Sequence, residues 1–376
     1  MSLHPIDGIV RVRQGATLVA ESRAARVTVL PECNGELRLP PADLRVALAG
    51  LGGLAWMAPD GLVGFDAARL DISVEDRWPD GTAIVNRFPR WGDSVDLLRI
   101  MDVLPAGPGL YEAPIYEDRR RNVVEGSQLL GQAIIAAAKE VPDQRPISAH
   151  MIFSRPAAFD LPLFFRVETR RRGRSFSTLA VEAVQEGKSI GSALVLTDVG
   201  APHTIEGQMA MPGLPGPGQS QSFTDYGMTG REVRFVNGDY SPDPDRIGPP
   251  ELDAWVRFRD QPATLGLRLG LLAQFTGHMT IAASMLPHPG IGEAQAHVTL
   301  STGVLAITIA LHEDPDLTRW MLYHNPAIQA GHGLCQGEGH VFAEGGRLLA
   351  SYTVQAMVRG FVKPASSYGL DASKLM

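Results

Sequence analysis

Two groups of arginines and a scatter of histidines are the side chains in this sequence best suited to chemistry. Arg170, Arg171, Arg172 and Arg174 crowd one short stretch. Guanidinium pairs well with phosphate oxygens, so Arg174 and its neighbours are candidates for holding an anionic ligand. Arg257 and Arg259 flank Phe258 and are candidates of the same kind, although a charged turn or a solvated strand face more often explains such residues. The ten histidines lack the helical spacing of a zinc site. No Gly-x-Ser-x-Gly elbow is present, which counts against a serine hydrolase of the α/β class. Gly331-His-Gly333-Leu-Cys-Gln-Gly337 narrowly misses a dinucleotide fingerprint and has no strand–turn–helix context. No cofactor follows from these patterns.

These side chains sit in a chain of 376 residues, 44% hydrophobic and 20% charged. That length and composition allow two or three domains with sizeable cores. A net charge of −7 argues against nucleic acid as the main partner. No apolar run is long enough for a membrane span, and no secretory signal is visible. Cys33 and Cys335 suggest neither a metal site nor a disulfide framework. A soluble, cytoplasmic protein is the expectation, with a homo-oligomer left open.

The element that must position any site is the stretch Val124–Glu140. Leu129, Ala133, Ala136 and Ala137 recur at helical spacing, and small residues nearly all round allow burial on every side. Ser127 is placed to cap its first turn. Before it, Asp93–Pro105 reads as a short amphipathic helix and Leu110–Pro114 as a strand. After it come strand-like runs at Ala149–Phe153, Pro162–Thr169, Phe176–Gln185 and Ile190–Leu196, separated by polar turns. A second apolar helix over Leu267–Met285 is interrupted at Gly277. Runs at Ala296–Leu300, Leu305–Leu311, Trp320–His324, Gly337–Phe342 and Leu348–Met357 follow it. Two helix-plus-sheet units of similar rhythm imply duplication. The expected fold is α+β, a double hotdog in which antiparallel sheet wraps two central helices, preceded by a small β-rich domain. The boundaries are 1–92 for the β-rich domain, 93–199 for the first repeat, 200–250 for a Pro- and Gly-rich linker, and 251–376 for the second repeat.

At the N-terminus, Ile9–Arg13 and Thr17–Ala20 form a plausible hairpin. VRVRQGATLVAESRAARVTVLPE…LRLPPADLR resembles the start of a small bacterial β-rich domain of unknown function, over about 35 residues.

A second resemblance is broader. EGSQLLGQAIIAAAKEVP, HMIFSRPAAFDLPLFFRVETRRRGRSFSTLAVEAVQEGK and the Arg155-Pro156 pair resemble the acyl-CoA thioesterase II type family. The likeness runs from about residue 94 to residue 360. It implies hydrolysis of an acyl-CoA thioester by an Asp–Thr–Gln set drawn from the second repeat. This sequence departs at each position. The Asp falls on Gly277, beside His278. The Thr falls on Ser301 or Val304, depending on the anchor, with Thr302 between. The Gln falls on Val354, with Gln355 one place later.

The candidates left are His278 as base, since imidazole titrates near neutrality, with Thr302 or Ser301 orienting a water and Gln355 assisting. Gly277, Arg174 and Arg257 are candidates for contacting substrate. Glu293 and His297, in GIGEAQAH, are further candidates. A one-residue offset in a strand turns a side chain to the opposite face, so a bulge would have to restore Thr302 or Gln355. The leading expectation is an acyl-CoA thioesterase-like hydrolase acting on acyl-CoA through activated water. The alternative is an acyl or acyl-CoA binding protein without turnover. Dehydration or hydration on the same fold would call for a clear Asp–His pair, which the sequence does not reveal.

Overall fold

The computed structural model describes residues 2–5, 9–30, 33–66, 69–77, 83–88, 97–115, 123–159, 161–223, 231–238, 243, 245–258, 261–296 and 298–361. Arg259 and His297 lie outside them. The chain forms two compact units. One comprises Met1–Leu97 with Glu117–Arg119 and Thr224–Arg231, and the other the remainder.

Among its described residues the first unit is β-rich, with two short 3-10 turns at Pro41–Asp43 and Leu48–Leu51. Its strands are β1 (Ser2–Pro5), β2 (Ile9–Gln14), β3 (Thr17–Ser22), β4 (Arg26–Leu30), β5 (Cys33–Leu39), β6 (Ala55–Met57), β7 (Val63–Phe65), β8 (Asp71–Arg77) and β9 (Ala83–Phe88). They form a five-stranded sheet, β1-β4-β5-β7-β6, and a four-stranded one, β3-β2-β8-β9. The apolar alternation of Val10 and Val12 buries one face of the β2–β3 hairpin with Leu37, Leu39, Val63, Phe65 and Ile72.

The second unit carries α1 (Leu97–Met101), α2 (Gly126–Glu140), α3 (Leu265–Gln274) and α4 (Thr280–Met285). Its strands in the first half are β10 (Leu104–Gly107), β11 (Leu110–Ala113), β12 (Arg145–Phe153), β13 (Leu163–Arg172), β14 (Phe176–Gln185) and β15 (Lys188–Asp198). Those that follow are β16 (Gln221–Phe223), β17 (Arg231–Phe235), β18 (Glu251–Phe258), β19 (Leu300–Leu311), β20 (Met321–Gly331), β21 (Leu334–Ala343) and β22 (Leu348–Gly360). Together they make one thirteen-stranded sheet, β10-β11-β13-β14-β15-β12-β19-β22-β21-β20-β18-β17-β16. The order β11-β13-β14-β15-β12 and the order β18-β20-β21-β22-β19 are the same path, walked twice. The two halves join where β12 pairs antiparallel with β19, from Ser148↔Ala310 to Ile152↔Ala306.

Every α2 residue from Ser127 to Ala137 is buried, as its small side chains allow. The helices α2 and α3 run antiparallel and touch at glycines. A Cβ added at Gly131 would lie 2.5 Å from the Gly270 carbonyl oxygen, so the two backbones are in direct contact. The Ser127 cap is corrected: the cap position is Glu125, whose side chain makes no capping bond. Of the expected Asp93–Pro105 helix, Leu97–Met101 is helical and Leu104–Gly107 is strand, while 93–96 lie outside the described residues.

The 200–250 connection is also more than a tether. Pro215 carbonyl accepts a hydrogen bond from Trp255 Nε1 at 2.8 Å, and Gln208 bonds both Gly346 O and Leu348 N. Met211 and Leu214 pack on Trp255, Trp320, Leu322 and Phe342. The near-dinucleotide glycines form the β20–β21 hairpin turn, with His332 and Gly333 at φ +56° and +73°. That is a left-handed pair suited to a tight hairpin, not a strand-to-helix loop.

Candidate active site

The break between α3 and α4 is where the side chains of interest gather. The α3 helix ends at Gln274, and α4 resumes at Thr280. Gly277, in the gap, meets the start of α2. A Cβ on residue 277 would sit 3.1 Å from Ser127 Cβ and Oγ and 3.5 Å from Ile307 Cδ1. That spacing is tighter than a side chain accepts without displacing Ser127, so the glycine permits the close approach. His278 follows and stacks on Phe275, ring centroids 4.7 Å apart. Its Nε2 lies 2.9 Å from Glu125 Oε2, and Gln274 Nε2 donates to the same oxygen at 3.4 Å. The His278 side chain is 5% exposed and that of Glu125 18%.

The backbone adds donors here. The first N–H groups of a helix have no carbonyl partner within it and sit at the positive end of its dipole. Leu129 N is the first α2 amide bonded back into the helix, to Glu125 O. The N-terminus of α2 therefore offers an electropositive seat beside Glu125 and His278, suited to a developing oxyanion.

Two expected site residues fall elsewhere on the sheet. β19 carries a bulge between Val304 and Ala306, opposite Ala356 and Gln355. The bulge puts Thr302, which is buried, on the same face as buried Ile307 and Ile309. Register sets Thr302 roughly 13 Å along the strand from Ile307, at about 3.3 Å per residue. Ser301, one place earlier, pairs with Arg359 and points to the other face. Gln355 lies apart from the α3–α4 break as well. It is exposed between buried Val354 and Ala356, so it lies on the outer face, and the bulge, which sits in the partner strand, does not turn it inward.

The arginines lie in two different settings. Arg257 is 3% exposed. Its Nε and Nη2 bond Glu232 Oε2 at 3.0 and 2.9 Å, and its guanidinium lies 4.5 Å over the Trp320 ring. It is a buried cation held between a carboxylate and an aromatic ring. Arg174 stands exposed in the β13–β14 turn, while neighbouring Arg172 pairs with Asp143 and Arg170 with Glu168. Glu293 lies in a short 3-10 turn before β19.

An Asp–His pair does exist: Asp253 Oδ1 lies 2.7 Å from His324 Nδ1. Burial opposes the charge on His324, and Asp253 more than offsets it, so the imidazole is held above its ordinary range. The pair is on the outer face, because adjacent Tyr323 points inward and donates to Leu272 O at 2.9 Å. It therefore belongs to the opposite side of the sheet from Glu125 and His278. Among the described residues no cluster of His, Cys, Asp or Glu is arranged to hold a metal ion, and no helix is long and apolar enough to cross a membrane.

Two family models match this second unit. The acyl-CoA thioesterase N-terminal domain matches residues 118–197 and the acyl-CoA thioesterase C-terminal domain residues 202–358. Together they span well over half of the sequence. The chain belongs to the acyl-CoA thioesterase family. Acyl-CoA thioesterase 2 of Haemophilus influenzae is 27% identical over 262 residues, covering 63% of this chain and 87% of that protein. Human acyl-coenzyme A thioesterase 8 is 25% identical over 316 residues, covering 77% of this chain and 96% of its own. Among solved structures, an acyl-CoA thioesterase II from Mycobacterium marinum aligns with TM-score 0.59 and 26% identity, covering 70% of this chain and 98% of that one. A hotdog-fold protein of unknown function from Alicyclobacillus acidocaldarius aligns with TM-score 0.57 at 16% identity, with the same coverage, and bears on the fold alone.

Glu125 is the residue sequence reasoning missed. The signal was a carboxylate immediately before the central helix. With Ser127 read as the cap, Glu125 falls just outside the expected helix and is not singled out.

Proposed function

We propose that this chain is a double-hotdog acyl-CoA thioesterase that hydrolyses its substrate where the N-terminus of α2 meets the α3–α4 break. The repeated strand order supports the duplication. The observation that carries the reading is the contact of His278 with Glu125, one residue past the position where the family resemblance places a carboxylate. The carbonyl carbon of the thioester is attacked by water, and the first-turn N–H groups of α2 hold the oxyanion that forms. Collapse expels the coenzyme A thiolate. A base must take a proton from the water, and Glu125 and His278 are the titratable side chains brought together at this place.

A specific observation favours a second reading, acyl-CoA binding without turnover. Val304 pairs with buried Ala356 and Ile307 with Val354, so two positions that the resemblance assigns to Thr and Gln present apolar surface inward. The test is release of free thiol from short, medium and long acyl-CoAs, alongside calorimetric binding of each. Turnover supports the hydrolase. Binding with no thiol release on any chain length supports the second reading and removes the first.

A further inference from the structure

We infer that the water-activating carboxylate of this enzyme is Glu125, supplied by the first repeat to a site whose second-repeat carboxylate has become Gly277, with His278 as its positioning residue. The inference rests on the hydrolase reading above and assigns its base.

The two members of the pair differ in access. Both ring nitrogens of His278 are buried, and its side chain is 5% exposed against 18% for Glu125. A general base must come within hydrogen-bond reach of the water it deprotonates, and the carboxylate is the member of the pair that solvent reaches. A residue at a helix cap commonly turns its oxygen onto the first turn. Glu125 makes no such bond and instead reaches across to α3 and His278. Gln274 and His278 converge on the one oxygen, Oε2. One hydrogen bond, from Gln274, and one close ionic contact, from His278, thus hold from the second repeat a carboxylate that the first repeat supplies.

The position suits the chemistry. A carboxylate at the N-terminus of a fifteen-residue helix stands beside the amides that receive the oxyanion. Glu125 takes one proton from water as the water oxygen bonds to the thioester carbon. On collapse the carbon–sulfur bond breaks, and the departing thiolate recovers that proton from Glu125. One water is consumed, and a free acid and a thiol are formed. Gly277 fits the same account, because a side chain there would crowd Ser127 at 3.1 Å, and the carboxylate enters from the opposite helix instead.

The experiment compares the full-length wild type with Glu125→Gln, Glu125→Asp and His278→Gln, reading kcat, KM and the pH profile of thiol release, with thermal melting to confirm folding. A general base contributes roughly 10²–10⁴-fold, so Glu125→Gln loses at least about 100-fold in kcat with KM little changed. Glu125→Asp keeps a carboxylate and recovers part of the rate, and it decides the matter if the Gln variant does not fold. His278→Gln loses less than Glu125→Gln and moves the acid limb of the pH profile, as a residue acting through Glu125 must. Overturning results are a Glu125→Gln rate within about threefold of wild type, or a His278→Gln loss exceeding that of Glu125→Gln, which makes His278 the base. A wild type that releases no thiol from any acyl-CoA removes the hydrolase reading and the role of Glu125 with it.

Discussion

The crossing of α2 and α3 can be tested by adding single methyl groups. At Gly131 a new Cβ would stand 2.4 Å from Met101 Cε and 2.5 Å from the Gly270 carbonyl oxygen. The methionine can swing aside, but the carbonyl belongs to the facing helix and moves only if the helices separate. Overpacking of this kind costs about 1–3 kcal/mol, whereas Ala in place of a helical Gly returns about 1 kcal/mol. The net expectation for Gly131→Ala is a loss of about 1–2 kcal/mol, since backbone crowding belongs in the upper half of the overpacking range. At roughly 2–4 °C per kcal/mol for a large domain, the melting temperature falls by about 2–8 °C. Gly270→Ala differs in kind, because its added Cβ meets Ile135 Cδ1 at 2.5 Å and Cγ1 at 2.6 Å before the Gly131 carbonyl at 2.9 Å. Ile135→Ala removes both of those atoms. Circular-dichroism melts of the single and double variants therefore give a favourable coupling for Gly270 with Ile135 and a weaker one for Gly131 with Ile135. A rise in melting temperature for Gly131→Ala would mean that helix propensity outweighs contact, and the backbone approach of the two helices would be refuted.

Other outcomes follow from the side chains on the sheet. Arg257→Met leaves Glu232 still paired with Arg234, so the loss is that of charged hydrogen bonds, about 1.5–3 kcal/mol, rather than that of an orphaned charge; denaturant titration measures it, while affinity for acyl-CoA by calorimetry stays within twofold, where a ligand-gripping arginine would lose more. Gln355→Ala, on the exposed outer face, leaves stability within about 0.5 kcal/mol and any thiol release within twofold; a large loss of rate would place Gln355 at the site after all. The Asp253–His324 pair gives a pH signature. The His324 pKa is raised in the folded state against burial, so its contribution is fully present below the unfolded value near 6.5 and is lost as pH rises through the folded value. The neighbouring His340 is held low by burial, with the charge of His324 adding to it, and has the opposite slope. Asp253→Asn therefore lowers the melting temperature more at pH 5.5 than at pH 8.5, and an equal loss at both would refute the charge coupling.

The particular residues explain what a sequence gives away here and what it does not. Burial of α2 was legible because Leu129, Ala133, Ala136 and Ala137 repeat with the helix period, and the β14 limits were legible because polar turns bound its apolar run. The second half of the sheet was harder. β19, LSTGVLAITIAL, is apolar on nearly every residue, so no alternation marks the bulge at Val304–Ala306, and the face of Thr302 could not be assigned. Gln355 suffers from the same ambiguity in the partner strand, where one residue of offset reverses the direction of the side chain. From sequence Arg257 reads as a candidate ligand contact because its partner, Glu232, sits in a segment without period that reads as a plain tether. That segment folds onto the sheet through single contacts such as Trp255 Nε1 to Pro215 O, and no repeat pattern announces a single contact. Glu125 is the sharpest case. Its meaning depends on His278 and Gln274, which lie in the other repeat and reach it only because the glycines of α2 and α3 let the helices touch. Local pattern identifies the scaffold, and the proposed site depends on a pairing between the two halves that local pattern does not contain.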